Sequence, residues 1–149
     1  MILSELIGQK ISKIRYSHKV GDGMQQFQSY IRLADKKIIC LPKGPDNSLN
    51  LDEYYKKHKE CSFDDAKRCA LASRLLFRNK KIVDIHFGYL DDEAREDMSG
   101  ILELENGIFI TENNAGPEER GDIDLLILKR DQFEAWKDEE TEYRSFKAS

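Results

Sequence analysis

The chain carries no recognisable motif of catalysis or metal binding, and what it lacks narrows the reading first. Cysteine is sparse: Cys40, Cys61 and Cys69 are odd in number and no two form a C-x-x-C. A disulfide framework and a zinc site are therefore disfavoured, and free thiols in a reducing cytoplasm are expected. No apolar run approaches the roughly 18–20 residues needed to span a membrane. The N-terminus, MILSELIGQK, places Glu5 early and has no basic segment ahead of a long apolar one, so no secretory leader is expected. Gly21-Asp22-Gly23 is too short for a phosphate loop and no helix follows it directly. The acids near Asp91 lack the Asp-x-Asp-x-Asp-Gly order of a calcium loop. Arg120-Gly121-Asp122 matches an adhesion tripeptide by chance.

What is present fits a soluble globular domain. The 149 residues are 40% hydrophobic and 35% charged, enough for one domain with its own core and unlike a disordered chain. The net charge of −4 hides a division. Residues 1–75 hold 14 Lys and Arg against 9 Asp and Glu, whereas residues 76–149 hold 10 against 19. The stretch from Asp84 to Asp124 concentrates the imbalance, with thirteen carboxylates against Arg95 and Arg120. Such asymmetry informs on partners rather than on fold.

Alternation and turn residues give the elements. Ser4 to Ile7 can close a short helical turn ending at Gly8. KISKIRYSHK, FQSYIRLA and KIICLP read as three strands, with a turn at Asp35-Lys36 and a stop at Pro42. Residues 52–60 suggest a helical or irregular segment. Ser62 and Asp65 resemble a capping box opening a helix in which Ala66, Cys69, Ala70, Ser73, Leu76 and Phe77 recur at helical spacing, up to Asn79. KIVDIHFGY, GILELEN and GIFITEN are three further strands, the last two joined by Asn106-Gly107. A loop over residues 113–121 leads to DIDLLILK, whose continuous apolar run suggests a strand covered on both faces. Asp131 and Glu134 can cap a final helix, and residues 138–149 read as a flexible tail that Tyr143 and Phe146 could dock.

A shift of 71 positions lays the second set of strands on the first. Ile14 falls on Ile85, Tyr16 on Phe87, Ile31 on Leu102, Leu33 on Leu104, Asp35 on Asn106 and Ile39 on Ile110. The expectation is an internal repeat, approximately 9–42 and 80–113, of a three-stranded antiparallel β-meander within an α+β fold. Outward positions that are basic or neutral in the first copy become acidic in the second: Lys13 meets Asp84, Arg15 meets His86, Arg32 meets Glu103, Ala34 meets Glu105 and Leu41 meets Glu112.

Candidate chemistry is thin. Asp84 and His86 share a strand face, a pairing that can tune a general base, but no nucleophile is placed beside them by any pattern. Clustered acids such as Glu118, Asp122 and Asp124 invite comparison with metal-dependent nucleases, yet so negative a stretch repels phosphate. Lysines and arginines of the first half, with Tyr54 and Tyr55 beside Lys56 and Lys57, could mark a nucleic-acid surface, although the acidic total argues against it. They could equally face the acidic half, Arg32 near Glu103 for example, within one molecule or across a homodimer.

The expectation is a non-enzymatic cytoplasmic binding protein without cofactor or metal, offering an acidic surface to a basic protein. That surface comprises Asp84, His86, Asp91, Asp92, Glu93, Glu96, Asp97, Glu103, Glu105, Glu112, Glu118 and Glu119. Its sharpest form is an immunity- or antitoxin-type inhibitor that occludes the cationic active site of a nuclease-type toxin, with no membrane contact. The alternatives are an enzyme or ligand-binding domain with a pocket near His86 between the two meanders, and a homodimeric structural module.

Overall fold

Period-two alternation in each half builds strands with one apolar face, and those faces meet in one core. The computed structural model describes residues 1–21, 24–113 and 124–148. These form a mixed α+β fold with two antiparallel sheets and a few short helices. Helix α1 (Leu3–Leu6) precedes β1 (Ile11–Gly21), β2 (Met24–Leu33) and β3 (Ile38–Cys40). Then come α2 (Leu51–His58), a 3-10 turn (Phe63–Asp65), β4 (Lys67–Arg68) and α3 (Leu71–Phe77). The second half runs through β5 (Ile82–Leu90), β6 (Glu93–Ala94), β7 (Ile101–Leu104), β8 (Phe109–Asn113), β9 (Asp124–Leu128), α4 (Arg130–Trp136) and β10 (Glu142–Ser145). The first sheet has the order β3-β2-β1-β4, and the second β10-β5-β7-β8-β9 with β6 paired to β5.

Residue pairing in the two sheets coincides at a shift of 71. Ile11↔Leu33, Lys13↔Arg32 and Ile14↔Ile31 in the first sheet correspond to Ile82↔Leu104, Asp84↔Glu103 and Ile85↔Leu102 in the second. The irregularity in register between Ile11 and Lys13 recurs between Ile82 and Asp84. Reciprocal bonds tie the halves together around an antiparallel bridge between Lys10 and Lys81. Gly8 N–H donates to Ile82 O at 2.7 Å, and Asn79 N–H donates to Ile11 O at 2.8 Å. Both donors hold positive φ, +97° at Gly8 and 61° at Asn79, a region that glycine and asparagine tolerate best.

Ile11, Ile14, Ile31, Leu33 and Ile39 join Ile82, Ile85, Leu102, Leu104 and Ile110 in a single buried cluster, closed by Leu3, Leu6 and Phe77. Each sheet also carries a smaller cluster. Tyr30 and Cys40 of the first pack with Tyr55 and Phe63, while Ile101 and Phe109 of the second pack with Phe133 of α4.

Several expectations are revised. The helix expected from Ser62 is interrupted: Ser62 caps only the 3-10 turn, accepting from Asp65 N at 3.3 Å. Residues 67–68 then pair with β1, Arg68 opposite Arg15, before α3 begins. Edge pairing with β1 outcompetes helix propagation there, because a short helix gains little without a packed face. Helix α4 is capped by Gln132, whose Oε1 accepts from Lys129 N at 2.9 Å, and not by the Asp131–Glu134 pair. Residues 142–145, expected within a flexible tail, form an edge strand on β5. Leu125 to Leu128 are half-buried on the opposite edge rather than covered on both faces. Asp22, Gly23 and most of the loop expected at 113–121 lie outside the described residues.

Candidate functional site

Strand geometry assembles the acidic candidates into two places. Asp84 and His86 point from the same face of β5, and Glu103 lies opposite Asp84 on β7. His86 Nε2 is 2.8 Å from Glu103 Oε1 and 3.9 Å from Asp84 Oδ2. The three offer donor atoms within 4.8 Å of one another, a set that divalent first-row metals accept. Each carboxylate is nevertheless engaged by the protein. Ser145 Oγ–H and Lys147 N–H donate to Asp84, the latter at 3.0 Å, and Arg130 Nη2 lies 3.4 Å from Glu103. Phe109 and Phe133 flank the imidazole at 6.0 and 6.3 Å between ring centres. Ser145 bonds to the carboxylate and not to the imidazole, so the contact that would activate a hydroxyl nucleophile is not made.

The second place is the end of the sheet where β5, β6 and β10 meet. Asp91, Asp92 and Glu93 are exposed beside Leu90, which is 45% exposed. Arg144 turns onto Asp92 at 2.6 Å and Glu142 at 3.0 Å while lying over the Tyr89 ring. Arg95 reaches Asp97 at 2.9 Å, Asp138 at 3.4 Å and the Thr141 hydroxyl at 2.7 Å. Its hydrogen bond lowers the Asp97 pKa, and Asp138 is lowered by the Glu140 backbone N–H, Thr141 and Arg95. Among the described residues, Asp91, Glu93 and Glu96 have no basic group within 4.0 Å.

The remaining candidates are scattered. Glu105 is exposed and accepts from Lys81 N at 3.1 Å. Glu112 is buried: its carboxylate accepts from Ser29 N at 3.0 Å, from Ser29 Oγ, and from Ser99 Oγ at 2.8 Å. It joins β8 to β2 and is not on the acidic surface, because it is 6% exposed with its two oxygens taken up by Ser29 and Ser99. Glu118 and Glu119 lie outside the described residues. The Arg32–Glu103 pairing is not formed: Arg32 lies over the Phe63 ring, and Glu103 serves His86 and Arg130. Tyr55 is buried against Tyr30, which removes it as a stacking platform. His18 is half-buried against Phe27 with its Nε2 unpartnered among the described residues, rather than solvated.

Three clefts of 270–290 Å³ open on the described surface. None includes Asp84, His86 or Glu103. One is lined by Cys40 to Gly44, Leu51, Tyr54 and Glu96, and another by residues 35–38 with Asp52, Tyr55 and Lys56. The third is basic, bringing Lys13 and Arg15 of β1 together with Arg68, Arg74 and Arg78. The last three arginines escaped the sequence reading: the spacing of 71, 74, 75 and 78 puts only Arg74 and Arg78 on one helical face, and Arg68 lies on β4. No protein-family model, curated protein or solved structure matches this chain.

Proposed function

We propose that the protein is a non-enzymatic binding protein that presents the acidic end of the second sheet to a basic protein. The observation that carries this reading is the set of exposed carboxylates Asp91, Glu93 and Glu96, uncompensated among the described residues, while Arg95 and Arg144 are turned onto neighbouring acids. Leu90 adds an apolar centre to a polar rim, the composition of a recognition surface. Uncompensated carboxylates on β6 and the turns beside it accelerate encounter with a cationic partner and fix its orientation. An immunity- or antitoxin-type inhibitor is the form this mechanism suits best: carboxylates take the place of substrate phosphates in a nuclease-type toxin's cationic cleft. The frame that displays them is a duplicated three-stranded unit, inferred from the coincident registers at a shift of 71, whose second copy became acidic. Asp84, His86 and Glu103 lie together on the face of the second sheet away from the shared core, with Ser145 bonded to Asp84 and Arg130 beside Glu103.

Co-purification from the native cell tests this at ~0.05 M and ~0.5 M salt, across which screening of exposed charges changes strongly. The expected result is a basic protein retained at low salt, released at high salt, and inhibited in its own nuclease assay by the purified chain. Retention unaffected by salt, or a captured nuclease left fully active, contradicts the reading.

A further inference from the structure

The basic cleft has a different character from the acidic end and is built on the first sheet. Its floor is Ser12 to Arg15 of β1, and its walls are Arg68 of β4, Leu71, Arg74 and Leu75 of α3, and Arg78 just past the end of α3. Five cations converge on about 290 Å³, and no carboxylate lines it. Lys13, Arg68, Arg74 and Arg78 make no salt bridge among the described residues. Arg15 is 7% exposed and fixed from beneath, donating from Nη1 to Phe63 O at 2.9 Å with its guanidinium 4.8 Å over the Phe63 ring. Its nearest carboxylate, Asp64, is 3.7 Å away and almost fully exposed. Nε–H and Nη2–H of Arg15 have no hydrogen-bond acceptor among the described residues. Crowding is evident at Lys13, whose pKa is lowered, first by the Arg32 charge and then by burial and by Arg15, Arg68 and Arg78.

The corresponding place in the second sheet shows what an anion does there. Asp84 stands where Lys13 stands, and its carboxylate is taken up by donors from Ser145 and Lys147 on the paired edge. In the first sheet the donors are present, but Lys13, Arg68, Arg74 and Arg78 meet no carboxylate among the described residues, and Arg15 meets Asp64 only at 3.7 Å. We propose that this cleft binds the phosphate groups of a phosphorylated ligand of about nucleotide size. Planar guanidinium forks match phosphate oxygens in pairs, and four of the five cations are arginines. The volume lies near the lower end of small-molecule sites. Leu71 and Leu75, 62% and 68% exposed and one turn apart on α3, offer an apolar shelf for the remainder of the ligand.

Isothermal titration of the whole protein at low salt with inorganic phosphate, a nucleoside diphosphate and a short single-stranded oligonucleotide tests the proposal. The variants are Arg74→Gln with Arg78→Gln, both exposed and therefore harmless to folding, and Leu71→Ser with Leu75→Ser. Expected is saturable binding of the diphosphate or the oligonucleotide, weakened at least tenfold by the arginine pair and several-fold by the leucine pair. Tighter binding of the diphosphate names a free metabolite as the source of the phosphate, and tighter binding of the oligonucleotide names a strand. No binding of any probe, equal binding by the arginine variant, or binding only of an acidic peptide control overturns it.

Discussion

Where the first sheet carries Lys13, Arg15 and Arg32, the second carries Asp84, His86 and Glu103 at positions of identical register. In both, an aromatic side chain from a following segment packs on that face: Phe63 lies against Arg15 and Arg32, and Phe133 near His86. Both place a short strand on the outer edge, β4 opposite Arg15 and β10 opposite His86. The apolar faces are nearly interchangeable, Leu33 with Leu104 and Ile39 with Ile110, all at most 1% exposed. Backbone pairing and core burial specify a frame with little dependence on the charges it displays. Recognition can diverge on one frame because the shared core packs the apolar faces, while each charged position is held by local partners of its own, Phe63 for Arg15 and Glu103 for His86.

The comparison can be broken most severely in the core. Leu33→Ala and Leu104→Ala should each cost about 3 kcal/mol, measured by urea unfolding. A disparity larger than about 1.5 kcal/mol would mean that the two positions are not equivalent in packing. A smaller effect belongs to a buried position where the sheets differ in kind, Leu41 in the first and Glu112 in the second. Glu112→Ala strands the Ser29 and Ser99 donors and should cost about 2 kcal/mol, while Glu112→Gln retains an acceptor and should cost less. Equal losses for both variants would show that burial alone sets the penalty.

Acidification should then separate the sheets at one contact. Asp97 and Asp138 hold pKa values below the ordinary 3.8 in the fold. Their contribution is therefore complete above about pH 4 and is lost as pH falls through the folded values. Protection factors of the Arg95 and Thr141 amides, which remove the intrinsic slowing of exchange in acid, should fall over that window before those of the amides pairing Ile14 with Ile31 do. Simultaneous loss would contradict a local clasp.

The mixed α+β class, the antiparallel strands and most of their apolar faces were legible because period-two alternation survives in the sequence. Where tertiary partners decided, the sequence was silent. Ser62 with Asp65 has the pattern of a helix start, but pairing of residues 67–68 with β1 limits it to one turn. Glu112 looks like any outward acid until Ser29, 83 positions away, is brought against it. Arg68, Arg74 and Arg78 form no obvious cluster in the chain, since it takes the fold to lay α3 and β4 along Lys13 and Arg15. The tail residues 142–145 have no strong strand pattern, and the open edge of β5 draws them in.

The most direct measurement compares two charge-altered proteins in the same pair of binding assays. Asp91→Lys with Glu93→Lys alters the acidic end, and Arg74→Gln with Arg78→Gln alters the basic cleft. The first should lose the basic protein partner and keep the phosphorylated ligand, the second should do the reverse, and both should melt within a few degrees of the parent. Loss of both ligands by either protein, or of neither by both, would contradict the claim that one repeated frame carries two independent recognition faces of opposite charge.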